Sequence, residues 1–223
     1  MLVVVGGHSR NIGKTAVVAG LIRKLRERRW TAVKITQHGH GICSSAGEPC
    51  HCDPGAGPEH PFALSEEFEP NRTDSGRFFA AGAERSFWLR TPMGQLPAAA
   101  ETVRKLLAQS QNVIVESNSV LALVTPDLFL MVLDFGCQDF KPSSLRFLDR
   151  ADAFLVIDRG INLPLWEDVA RGLWDGKPRF AVAPPNYITP EVLGFVRSRL
   201  DSGAPAGVAA KQTTRSLPPS LAR

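Results

Sequence analysis

Apolar runs and polar turns alternate along the first 200 residues with a changing period. Val3-Val4-Val5 opens the chain as an unbroken β-branched run, the mark of a buried strand. Val17, Val18, Leu21, Ile22 and Leu25 then recur at helical spacing, with Arg23, Lys24, Arg26, Glu27, Arg28 and Arg29 on the outer face. Residues 31–36 predict a second buried strand, and 73–83 a helix capped by Thr73 or Asp74 and ending near Gly82. A short strand at 86–89, an amphipathic helix at 96–107 and a strand at 113–116 follow. Further strands are predicted at 128–133, 153–157 and 179–183, with helices at 143–150, 166–174 and 190–200. This alternation predicts an α/β fold with a doubly wound, mostly parallel sheet and flanking helices, in three layers. Two stretches break the pattern. Residues 41–72 show no sustained period, and from 202 onward large apolar residues become scarce. The expected organisation is one domain over 1–201, a Cys/His-rich insertion at about 38–72, and a flexible tail at 202–223.

The first strand runs into Gly6-Gly7-His8-Ser9-Arg10-Asn11-Ile12-Gly13-Lys14-Thr15-Ala16, and the helix begins where this loop ends. Such a strand, glycine-bracketed loop and helix make a phosphate cradle. Backbone amides from Gly7 to Ala16, including those of His8, Ser9, Asn11 and Ile12, are candidates to face a triphosphate. Lys14 adds a mobile cation, and Thr15 offers a hydroxyl to Mg²⁺. Arg10 stands where a cation can meet the γ-phosphate. Glu116, closing a buried strand, and Asp74, in the first turn of a helix, are candidate carboxylates for the Mg²⁺ and its waters. The predicted ligand is ATP or GTP with Mg²⁺, and Lys14, Arg10 and Glu116 are the candidates to carry hydrolysis. No Asn-Lys-x-Asp segment selects guanine. Pro184-Pro185-Asn186, following the last strand, is similar in placement to the segment with which dethiobiotin synthetase-like proteins contact the base, and that resemblance makes Asn186 a candidate base contact.

Composition narrows the partners. A net charge of +4 over 223 residues, without a basic stripe interleaved with aromatics, argues against nucleic acid. No apolar run reaches the roughly 18 residues of a membrane span, and Met1-Leu2-Val3 enters a strand without a basic leader, so a cytoplasmic protein is expected. There the four cysteines are thiols or metal ligands rather than disulfides. Cys43, Cys50 and Cys52 cluster in the insertion. With a histidine, or with Cys137 brought in by the fold, they would suit Zn²⁺. Free thiols, or a redox or iron–sulfur site, are the other readings.

Five residues separate Gly7 from Gly13, against four in the usual phosphate loop, and this longer spacing resembles that of dethiobiotin synthetase. The run Lys34-Ile35-Thr36-Gln37-His38-Gly39-His40, the segment Thr73-Asp74-Ser75-Gly76-Arg77 closing with Ala81-Gly82-Ala83, and Ile114-Val115-Glu116 resemble, in this order, segments of the MobB-type molybdopterin-guanine dinucleotide biosynthesis proteins. The resemblance covers about the first 120 residues. It departs in the longer loop, in Ser117-Asn118 where that family has Gly-Phe, and in the cysteine insertion. It implies a slow Mg²⁺-dependent P-loop NTPase serving molybdenum cofactor biosynthesis beside molybdopterin-handling enzymes. A dethiobiotin synthetase-like, ATP-dependent carboxylate-activating ligase and a nucleotide-gated metallochaperone using the cysteines are the alternatives. A homodimer is expected by analogy of architecture.

Overall fold

The computed structural model describes residues 1–38 and 61–202. Strand β1 (Leu2–Gly7) leads through the glycine loop to helix α1 (Lys14–Lys24), then β2 (Thr31–His38), β3 (Ala63–Glu67), α2 (Asp74–Ala81) and β4 (Arg85–Pro92). Helix α3 (Ala100–Ala108), β5 (Val113–Glu116), β6 (Leu128–Leu133), the single-turn α4 (Pro142–Leu145), β7 (Ala153–Ile157), β8 (Arg179–Val182) and α5 (Pro190–Ser202) complete the order. The eight strands form one sheet in the order β3-β4-β2-β5-β1-β6-β7-β8. Every neighbouring pair is parallel except β3–β4. This is the doubly wound architecture that the alternating pattern predicts.

Strand alternation divides the core into two layers. Val3, Val5 and Ile114 pack with Val17, Leu21, Ile22, Phe78 and Val192, toward α1, α2 and α5. Val4, Val33 and Val115 pack on the other face with Val103 of α3 and the aromatic residues Phe147, Trp166 and Trp174. The chain leaves β1 toward β2 on one side and later crosses to β6 on the other. The loop after β1 therefore sits at the reversal of strand order, where open α/β sheets form a ligand crevice.

Three expectations change. Residues 63–67, expected to lack regular structure, form the antiparallel edge strand β3. Ala-Leu-Ser-Glu-Glu carries little strand propensity of its own, and the ladder to β4, reinforced by Arg85 Nε donating to Glu66 at 2.7 Å, supplies its order. The helix expected over 166–174 is absent. Only a 3-10 turn at Arg171–Leu173 forms there, and the apolar spacing instead serves a knot in which the Trp166 and Trp174 rings meet at 5.5 Å. The helix expected over 143–150 breaks into α4 and a 3-10 turn at Leu148–Arg150.

Smaller differences are at boundaries: β4 extends to Pro92, β8 stops at Val182, and a 3-10 turn containing Pro97 precedes α3. The cysteines at 43, 50 and 52 and the tail beyond Ser202 lie outside the described residues. Among the described residues no helix is long and apolar enough to cross a membrane.

Candidate nucleotide-binding site

The loop after β1 is fixed at its base and open at its tip. The Asn118 side chain accepts from the Gly7 amide at 2.9 Å and donates to the Gly7 carbonyl at 2.9 Å, while Ser144 Oγ donates to that carbonyl at 2.8 Å. With both backbone groups engaged, Gly7 anchors the loop. Asn11 (φ 54°) and Gly13 (φ 91°) take left-handed conformations, which turns the chain into α1. That helix begins without a side-chain cap bond and without an acidic residue in its first turn, and Arg23 and Lys24 sit in its last. Its leading amides and positive dipole end are left for an anion. Helix α2, by contrast, is capped by Thr73, which accepts from the Gly76 amide.

A cleft of about 690 Å³ opens over this helix start, within the span of small-molecule sites. Asn11, Ile12, Gly13, Lys14, Thr15 and Ala16 line it, with Arg10 at its exposed rim. His8 and Ser9 turn the other way. The His8 ring, fully buried, accepts from the Asp134 amide at Nε2 (2.9 Å) and reaches the Asp139 carbonyl with Nδ1 (2.9 Å), which assigns the proton to Nδ1. Ser9 Oγ donates to Asp139, and the Lys141 amide donates to the His8 carbonyl at 2.8 Å. These two residues stitch the loop to the segment before α4. Burial lowers the His8 pKa, so the ring is held neutral.

The cleft floor is polar and densely paired. Thr15 Oγ1 donates to Glu116 Oε2 at 2.8 Å, and Lys34 Nζ lies 2.5 Å from Glu116 Oε1 and 2.7 Å from Asp74 Oδ2. Lys14 Nζ donates to the Ser9 carbonyl at 2.6 Å. Strand register explains the convergence. Lys34 on β2 lies opposite Glu116 on β5, so their side chains share a face at the carboxyl ends of the strands, under Asp74 of α2. Burial alone would lower the Lys34 ammonium, but Glu116 and Asp74 reverse this and its pKa is raised. Burial pushes the Asp74 carboxyl up, yet Lys34 and the Thr15 hydroxyl hold it below its ordinary range. Among the described residues Lys14 makes no ion pair, and burial lowers its pKa against the more distant pull of Glu116. Thr15, Asp74 and Glu116 together present the hard oxygen donors that suit Mg²⁺, and an ammonium already stands between the two carboxylates.

The remaining candidates separate. Asn186 is exposed and pairs in an isolated bridge with Ala183. Its neighbour Tyr187 lines the cleft and packs against Gly13, so close that a Cβ at Gly13 would lie 2.5 Å from the ring. Cys137 is a free, partly exposed thiol on the loop after β6, 4.0 Å from the Asp139 carbonyl. Among the described residues no group of three His, Cys, Asp or Glu side chains gathers. Sequence reasoning missed Lys34, Asn118, Lys141 and Tyr187 as site residues. A lysine within an otherwise buried strand was the signal for the first; the others depend on how loops fold back.

No family model matches the chain, and a search of curated proteins finds no match. Among solved structures the chain is similar to HypB from Helicobacter pylori, determined in complex with nickel. The identity is 13% over 96% of this chain and 91% of that one, with a TM-score of 0.44. It is also similar to LpxK from Aquifex aeolicus, determined in complex with ATP, at 16% identity and a TM-score of 0.43. That match covers 81% of this chain and 53% of LpxK, so the chain spans about half the LpxK length.

Proposed function

We propose that this protein binds a nucleoside triphosphate with Mg²⁺ in the cleft over α1 and hydrolyses it slowly. One observation carries the reading: Lys14, Thr15, Asp74 and Glu116 meet at the open start of α1 beside a glycine loop. The α1 amides and Lys14 would hold the β- and γ-phosphates. Thr15, Asp74 and Glu116 would hold the Mg²⁺, which neutralises phosphate charge when bound. Arg10, at the rim, reaches the γ-phosphate side, and Tyr187 and Asn186 border the base. The work of the chain is positioning and electrostatic. The placement in molybdenum cofactor maturation, beside molybdopterin-handling enzymes and as a homodimer, rests on the sequence resemblance at 34–40, 73–83 and 114–116.

A second reading, transfer of the γ-phosphoryl group to a bound acceptor, is favoured because the cleft continues past Lys34 to Trp88. Nucleotide-gated metal delivery would draw on the cysteines outside the described residues. Titration of ATP and GTP, with Mg²⁺ and with chelator, tests the central proposal. Lys14→Ala is expected to weaken triphosphate binding by about a hundredfold while the protein stays folded by circular dichroism. Unchanged affinity in that variant would overturn the proposal.

A further inference from the structure

The cleft is longer than its phosphate end. Register places Ser65, Trp88, Lys34 and Glu116 in one row across β3, β4, β2 and β5, all on the face that α1 and α2 cover. Two inter-strand steps, about 10 Å, separate Glu116 from Trp88. Tyr187, packed on Gly13, marks the opposite flank of the glycine loop. Among the described residues, a nucleotide running from the loop toward Tyr187 leaves the Trp88 end of the cleft unfilled.

That end is built rather than incidental. The Trp88 indole Nε1 donates to Thr36 Oγ1 at 3.0 Å, and the Arg90 guanidinium lies 4.6 Å from the ring centroid. The ring is thereby held in one orientation while it lines the cleft with Met93, Thr36 and Gln37. Gln37 is itself held by the Gly94 amide, which donates to its Oε1 at 2.9 Å. Arg77, half exposed and 3.9 Å from Asp74, projects into the same space, and Lys34 closes it toward the phosphates. A flat apolar wall thus meets the half-exposed Arg77, with Lys34, already shared between Asp74 and Glu116, behind it on the side of the phosphates.

We infer that the Trp88 end of the cleft is a second-ligand subsite for a small anion with a flat, apolar body, bound together with the nucleotide and oriented with its negative group toward Lys34 and Arg77. The inference rests on the nucleotide reading only for the adjacency of the two ligands, since the subsite's own residues lie on β2, α2 and β4. Trp88 supplies a stacking surface, and the cations fix the carboxylate, sulfonate or phosphate.

Calorimetric titration with 2-naphthoate, in the presence of Mg²⁺ and a non-hydrolysable ATP analogue, tests this. Naphthoate is expected to bind at one site, about tenfold tighter than uncharged 2-naphthylmethanol. Trp88→Ala should weaken it by about tenfold and leave analogue affinity within about twofold, while Trp88→Phe retains most of the binding. Arg77→Gln should weaken naphthoate but not naphthylmethanol. Analogue binding with no naphthoate binding, equal binding of the neutral probe, competition between probe and analogue, or indifference to Trp88→Ala would each overturn the inference. Loss of analogue binding with naphthoate still bound would instead strike the nucleotide reading alone.

Discussion

Lys34 holds together charges that would otherwise be costly. The Glu116 side chain is 2% exposed, and Lys34 is the cation that meets both it and Asp74. Removing one partner of a buried pair strands the other, which costs about 3–5 kcal/mol. Lys34→Met is therefore expected to lose about 3 kcal/mol in urea denaturation at neutral pH, and the Lys34→Met/Glu116→Gln double variant to recover part of that loss. The pH dependence has a defined sign. Lys34 is raised above its ordinary 10.5, so its contribution is complete below 10.5 and fades as pH rises through the higher native value. Asp74 is lowered from 3.8, so its share is present above that value and fades as pH falls through the lower native one. The gap between wild type and Lys34→Met should thus be flat through neutrality and close at both extremes. A gap that persists undiminished at either pH extreme would contradict this account.

At the level of elements, the junction of β1, the glycine loop and α1 depends on Gly13. Its φ of 91° is costly for any residue with a Cβ, and that Cβ would meet Tyr187 Cε1 at 2.5 Å. Gly13→Ala should cost about 1–2 kcal/mol from the backbone alone and more from the clash. In a Tyr187→Ala background only the backbone part should remain, so the two substitutions should be non-additive in thermal or urea unfolding. Additive losses would show that the ring does not press on Gly13. The strands around this junction were legible because Val3-Val4-Val5, Val113-Ile114-Val115 and Leu128 to Leu133 are apolar on both faces, as buried parallel strands must be. Thr15, Asp74 and Glu116 were legible as candidates because each ends or starts an element at the crevice. Lys34 escaped because its meaning depends on the register that sets it against Glu116, and register is a non-local property. Trp166 and Trp174 misled because spacing that suits a helix also suits two rings folding onto Phe135, at 5.7 Å from each.

At the scale of the molecule, the described residues of the cleft gather Arg10, Lys14, Lys34, Arg77 and Lys141 against the carboxylates of Asp74 and Glu116, a surplus of three positive charges among them. This excess comes from parts of the chain far apart in sequence, and Lys141 is the member held least easily. Burial, then repulsion from Lys14 and Arg10, lowers its pKa to about 8. A polyanion entering the cleft reverses that repulsion and pulls the value up, so above pH 8 binding must take up a proton. Triphosphate affinity should accordingly be highest below pH 8 and fall by about tenfold between about pH 7 and 9.5. Lys14, also lowered by burial, adds to the decline only at the pH where it too loses its proton. Lys141→Gln should bind more weakly at pH 7 and lose most of the decline, whereas Lys141→Arg, charged throughout this range, should keep the affinity and flatten the profile. Calorimetry in two buffers of different ionisation enthalpy at pH 8.5 would count the proton directly: with a free value of about 8, wild type should take up most of one proton and Lys141→Arg markedly less. A wild-type profile that stays flat to pH 9.5, or the same decline in both variants, would show that Lys141 does not face the bound anion.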